Sequence, residues 1–221
     1  MIVVVGSPAG RQSVRGIIAA GVAATIARVA AAAGAEVQLV GKVGEGAVGD
    51  AVLLSLAHEK VGHVAVLRDA SAAAPLKSDG MESEAVLDPI DGDSGAAESS
   101  DAQAAAPAGS FLDSGDLQLA LRYLPDYRVV VVADPLDEAA MSTVVAAGRW
   151  AGAQLIVVVA AGSTAPGAPD DATVLESPAA EADGAFAAVV GAYAAALDRG
   201  ASPAEAFAMA SAESGWAAVT D

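Results

Sequence analysis

The fold class this sequence predicts is a three-layer α/β/α domain around a mostly parallel sheet. Two observations predict it. Short aliphatic runs such as "MIVVVG" and "YRVVVVAD" are apolar at every position rather than at alternate ones. Strands of that kind are buried on both faces, which requires helices above and below the sheet. Between these runs lie stretches with helical spacing of apolar residues, and a chain that alternates strand and helix builds parallel neighbours.

The first strand is predicted over residues 1–6. The next segment, "GSPAGRQS", departs from a nucleotide-binding loop, because Arg11 and Gln12 stand where that pattern needs Gly and Lys. A tight strand-to-helix turn accounts for Gly6, Pro8 and Gly10. A helix is expected from about Ser13 to Ala33, closed by Gly34. A strand over 36–44, a helix over 47–60 and a strand over 63–69 follow. Further on come a helix over 115–124, a strand over 127–134 and a helix over 135–152 with Pro near its start. Strands over 153–161 and 172–177 precede two closing helices, at about 184–199 and 203–213. Ser202 is the N-cap of the last one and Pro203 its first residue.

Residues 70–114 break the alternation. They are rich in Ala, Ser, Gly and Asp, with ten carboxylates and no base between Ser78 and Leu121. Such a segment buries little apolar surface, so a solvated acidic insertion is expected, with at most a weak hairpin around "EAVLDPIDGD". The rest of the 221 residues suffices for one core, and a single domain over 1–221 is the expectation. Apolar residues make up 54% of the chain but aromatics only 4%, so that core is built from Ala, Val, Leu and Ile.

The formal charge of −17 disfavours nucleic acid and anionic membrane surfaces as partners. No cysteine is present, which excludes disulfides and thiolate metal sites. The opening run lacks the basic region of a signal peptide, and the mild stretch "GIIAAGVAATIARVAAAAGA" is interrupted by Arg28. A cytoplasmic protein is expected. His58 and His63 show no acid–base partner in the sequence.

Glycines 41, 44, 46 and 49 in "GKVGEGAVGD" follow a strand and precede a helix, where backbone can approach a ligand or another loop. The longer stretch "GVAATIARVAAAAGAEVQLVGKVGEGAVGD" resembles the N-terminal signature of the ribokinase-like (PfkB) carbohydrate kinases. "VVGAYAAALDRGASPAEAFAMASAESGWAAVT" is similar to the family's C-terminal helix pair, and "LALRYLPDYRVVVVADP" to its central helix and strand. The resemblance implies a ribokinase-like fold and MgATP-dependent phosphorylation of a sugar hydroxyl.

The positions that carry function in that family are altered. Its sugar-binding Asn and Asp fall on Ala9 and Arg11. Its G-G-x-x-x-N motif keeps Gly21 alone, with Ala20 and Thr25 at the other places. The acid of G-x-D falls on Gly46, beside Glu45, and Asp134 stands where the family has Glu. Glu181 is the remnant of N-x-x-E, with Pro178 at the Asn. The G-A-G-D of the catalytic turn lands on Gly184, Ala185, Phe186 and Ala187. A shift of about one helical turn brings Asp183 near the base position instead, where it also reads as an N-cap.

The resemblance thus implies Gly21, Gly41, Gly44, Asp134 and Gly184 as ligand-binding residues, Asp183 as catalytic base and Glu181 as metal ligand. The segment from Gly6 to Gly21 is expected to hold no strands, leaving the sugar-covering lid absent or reduced. No long stretch between Ala161 and Glu181 supplies a second nucleotide-side strand, and the end at Asp221 is expected to omit the last adenine-side segment. The leading expectation is a catalytically degenerate sugar-kinase homologue, a pseudokinase, that binds a small molecule (sugar or nucleotide) or a protein. An active carbohydrate kinase using Asp183, with ATP and Mg as cofactors, is the first alternative. A structural or regulatory subunit is the second. A monomer, or a homodimer not built on the lid, is the expected assembly.

Overall fold

The computed structural model describes residues 1–14, 16–70, 76–77, 112–178 and 184–213. Glu181, Asp183 and most of the acidic segment expected at 70–114 lie outside the described residues.

The chain begins with β1 (Ile2–Val5), β2 (Ala9–Ser13) and β3 (Gly16–Ala20), then α1 (Val22–Ala32). β4 (Val37–Gly44), α2 (Ala47–His58) and β5 (Gly62–Asp69) follow, with β6 (Leu76–Lys77) after them. The second half runs α3 (Ser114–Arg122), β7 (Val129–Val132), α4 (Glu138–Ala151) and β8 (Gln154–Val159). It ends with β9 (Thr173–Glu176), α5 (Ala185–Asp198) and α6 (Pro203–Glu213). No helix among the described residues is long and apolar enough to cross a membrane.

Six strands form one sheet in the order β5-β4-β1-β7-β8-β9, and every pairing in it is parallel. The continuous apolar runs fit this placement: all four residues of β1 are 0% exposed, and those of β7 are at most 1% exposed. One face of the sheet, through Ile2, Val4, Leu39, Val129 and Val131, packs against α1, α2 and α5. The other, through Val3, Val5, Val130 and Val132, packs against α3 and α4. Three layers result, as the sequence predicts.

β1 lies in the middle of the sheet. The chain adds β4 and β5 on one side, then crosses to add β7, β8 and β9 on the other. The reversal falls between β1 and β7. In open parallel sheets ligands bind at the carboxyl edge beside such a reversal.

A second sheet of order β3-β2-β6 corrects the expected helix start at Ser13 and the expected lack of strands between Gly6 and Gly21. Among the described residues it is small, with two residues in β6. Val14, Ile17 and Ile18 are β-branched and favour extended backbone over helix. The turn is closed by Ser13 Oγ donating to the Gly16 carbonyl at 2.8 Å, with Gly16 at φ 113°. The helix begins only after Gly21. Ile17 and Ala19 join the core on the α2 side, and the Ala19 N–H donates to Ser55 Oγ at 3.0 Å.

α5 is buried over eleven of its fourteen residues and lies directly on α1. Gly191 sets their separation: a Cβ there would stand 2.7 Å from the Ile26 carbonyl oxygen and 2.9 Å from Val29 Cβ. Gly148 in α4 has open space where its Cβ would be. Gly191→Ala is therefore expected to lower unfolding stability by about 1–3 kcal/mol through overpacking. Gly148→Ala should raise it by about 0.5–1 kcal/mol by restricting the unfolded chain. Urea melts of the two variants against wild type check both signs.

Candidate functional site at the strand reversal

The loop that leaves β1 is pinned from both sides. The Gly6 N–H donates to the Val40 carbonyl at 2.8 Å, and the Ala133 N–H donates to the Val5 carbonyl at 2.8 Å. Ser7 then ties the two flanking strands together. Its N–H donates to Asp134 Oδ2 at 2.6 Å, and its Oγ accepts the Lys42 N–H at 3.1 Å. This requires the loop to lie against β4, and Gly41 allows it: any Cβ there would collide with the Gly6 carbonyl oxygen. Two predicted site residues, Gly41 and Asp134, thus meet at the reversal through Ser7, which the sequence reading did not single out.

Gly21 and Gly184 form a second pair. Both are N-cap residues in positive φ, at 93° for α1 and 68° for α5, and neither cap has a side-chain hydrogen bond. A Cβ on Gly184 would lie 3.7 Å from Thr25 Cγ2, in the first turn of α1, so the two helix starts adjoin. Gly44 closes the β4–α2 turn, where a Cβ on Gly49 would run into its carbonyl oxygen. By contrast, α3 and α4 are capped by the carboxylates of Asp113 and Asp137, with Asp116 completing a capping box on α3.

Around the start of α5, Gly184 and not Asp183 is the N-cap residue. Phe186 is 7% exposed and Ala187 1%, and both belong to the core shared with α1. The first turn of α5 carries no acid.

Lys42 is the other residue sequence reasoning missed. It follows Gly41 on β4, and its Nζ lies 2.6 Å from Asp116 Oδ2, with only 15% of the side chain exposed. The hydrogen bond to Asp116 holds the ammonium above its ordinary pKa of 10.5, against the opposing effect of burial. The nearby charges of Asp116, Asp113 and Asp69 act in the same direction. The available signal was slight: one lysine of three, next to a glycine, in an acidic chain.

An open groove lies elsewhere among the described residues. It measures about 870 Å³ between α3 and α4 and is lined by Tyr123, Leu124, Tyr127 and Trp150. Its lining contains no carboxylate, so the reversal at β1 and β7 is the better candidate for hydroxyl or proton chemistry.

A magnesium nucleotide needs carboxylate donors for its metal. Among the described residues no group of three or more His, Cys, Asp or Glu is placed to hold a metal ion. The expected metal ligand Glu181 lies outside the described residues.

Lys42 binds its proton more tightly in the folded chain than in the unfolded one. Its stabilising effect is accordingly complete below about pH 10 and is lost as pH rises through the raised folded-state value. Lys42→Met is expected to cost about 1 kcal/mol at pH 7, since it leaves the partly exposed Asp116 carboxylate with only the bond from the Asp113 N–H. The gap to wild type should narrow as pH rises through that raised folded-state value, as read by urea denaturation at neutral and strongly alkaline pH.

No family model matches this sequence, and no match is found among curated proteins. Solved structures do match. A structure described as a candidate ribokinase II from E. coli, in its apo form, superposes with a TM-score of 0.63 at 13% identity, over 96% of this chain and 91% of that one. A PfkB protein from Polaromonas sp. JS666 gives 0.62 at 14% identity, over 99% and 96%. A structure described as a candidate phosphofructokinase from Staphylococcus aureus gives 0.59 at 15% identity, over 97% and 90%. With a six-stranded parallel sheet between two helical layers and a small second sheet after β1, the chain has the ribokinase-like fold.

Proposed function

We propose that this chain is a sugar-kinase homologue that binds a small polyhydroxylated molecule at the β1–β7 reversal without efficient phosphoryl transfer. One observation carries the reading. Ala187, at the position resembling the family's catalytic aspartate, is a buried methyl group at the start of α5. A general base must reach the attacking hydroxyl at hydrogen-bond distance, and alanine has nothing with which to take a proton. Binding is a separate matter. Asp134 offers a half-buried carboxylate at the carboxyl edge, oriented by the Ser7 N–H. Carboxylates in that position accept hydrogen bonds from ligand hydroxyls.

An active kinase, with Asp183 as base and Glu181 at a magnesium ion beside ATP, is the second reading. What favours it is that capping of α5 falls to Gly184, one residue after Asp183. A purely structural or regulatory subunit would bind neither sugar nor nucleotide.

ATP consumption against a panel of sugars, with melting temperature followed in parallel, separates the three. Binding without catalysis predicts a rise in Tm with at least one sugar and turnover below about 0.1 s⁻¹, since loss of a general base costs about 10²–10⁴-fold against ordinary kinase rates. Asp134→Asn should weaken that binding about tenfold or more. Turnover of about 1 s⁻¹ or faster, abolished by Asp183→Asn, would establish the second reading. No response to any ligand, with a co-purifying protein, would establish the third.

A further inference from the structure

We propose that the groove between α3 and α4 binds a planar aromatic anion, with Trp150 and Tyr123 as its stacking surfaces and Arg122 and Tyr127 as donors to its charged group. The site shares no lining residue with the Ser7–Asp134 contact and does not rest on the reading above.

The groove follows from the local sequence. Thr143, Ala146, Ala147 and Trp150 recur at three- and four-residue spacing, so they share one face of α4. The two alanines keep the floor low. From the end of α3 the chain turns through Tyr123 and Pro125 to Tyr127 and forms the facing wall. The space is about 870 Å³, within the range of about 300–1,000 Å³ of small-molecule sites.

Aromatic rings are concentrated here against the trend of the chain. The sequence holds two Trp, three Tyr and three Phe, yet three of these rings line this one groove. Trp150 is 90% exposed and Tyr123 75%. Neither stacks on another aromatic ring among the described residues. A flat ring laid on such faces removes apolar area from water and gains an offset stacking contact.

Tyr127 adds an independent observation. The residue is 3% exposed and belongs to the core beneath α3 and α4. Its hydroxyl has no hydrogen-bond partner among the described residues, and burial alone raises the phenol above its ordinary pKa of 10.0. A buried phenol without a partner is unfavourable. Because Tyr127 lines the groove, an acceptor oxygen on a ligand satisfies that donor.

Charge selects an anion. The chain has twenty-eight acids, but none lines the groove, while Arg122 does. The Arg122 guanidinium has no ion pair among the described residues and offers both oxygens of a carboxylate a matching fork. The ends of α3 and α4 lie close by. Their carbonyls at Ala120, Leu121, Gly148 and Arg149 already accept from following backbone N–H groups. The partial charge of a helix end, roughly half a unit and offset in this way, does not outweigh a full guanidinium charge.

The test titrates the ¹⁵N-labelled full chain with 2-naphthoate and follows the Trp150 indole N–H resonance, identified by its loss in Trp150→Phe. A saturable shift with a millimolar or tighter Kd is expected. Arg122→Gln should raise that Kd about tenfold. Tyr127→Phe should raise it about threefold or more while Tm stays level or rises, because the hydroxyl it removes has no partner in the fold. Decalin-2-carboxylate, of similar size and charge but without a flat face, should bind about threefold more weakly or worse. Equal binding of the decalin acid overturns the aromatic class, and equal or tighter binding of naphthalen-2-ylmethylammonium overturns the anionic one. An unchanged Kd in Tyr127→Phe removes the assigned donor. A Trp150 resonance that ignores naphthoate but shifts with protein concentration overturns the proposal in favour of a second copy of the chain covering this face.

Discussion

Two backbone segments meet at Gly41 with no room for a side chain between them, and the geometry of the carboxyl edge depends on that approach. Because β4 carries no Cβ there, the Gly6 carbonyl settles against it and the loop leaving β1 is held flat across the sheet edge. Only then is Ser7 placed to donate to Asp134 on one side and to accept from the Lys42 N–H on the other. A single serine thereby stitches β4, β1 and β7 at the point where the direction of strand addition reverses. The candidate site is a product of backbone packing first and of side-chain chemistry second.

The same use of small residues governs the layer beneath. With aromatics at 4%, the core gains its apolar contact by bringing elements close rather than by inserting large side chains. α5 shows this most plainly: Ala187, Ala192, Ala194, Ala195 and Ala196 are all buried, and Gly191 sits against the backbone of α1. No buried polar or charged residue interrupts the described core. The start of α5 belongs to this tightly packed zone. Its alanine and phenylalanine continue the core.

Much of the fold was legible in the sequence, for identifiable reasons. β1 and β7 are uninterrupted valine and isoleucine runs, and Gly34 and Ser202 mark helix boundaries by local chemistry. The helix expected from Ser13 failed because Ile17, Ile18 and the alanines beyond them suit either period, and pairing with β2 decided for strand. β6 is two residues long and has no local signature; only its partner defines it. At the site, Gly41 and Gly44 were legible because close backbone approach leaves glycine as its trace. Ser7 was not, since serine after a strand is commonplace and its role arises from residues 35 and 127 positions away. Lys42 escaped for a similar reason: its ion pair with Asp116 joins a strand to a helix far along the chain.

α2 packs simultaneously on β3 of the smaller sheet and on β4 and β5 of the larger one. The Ser55 hydroxyl, bonded to the Ala19 amide, is part of that shared contact. One helix serving two sheets means that the smaller sheet is no free-swinging flap. Rocking it about the Gly6 and Gly21 connections has to shear α2 across the edge strands, or else break its seat on β3. Displacement of the smaller sheet is therefore coupled mechanically to a helix that contributes no side chain to the Ser7–Asp134 contact.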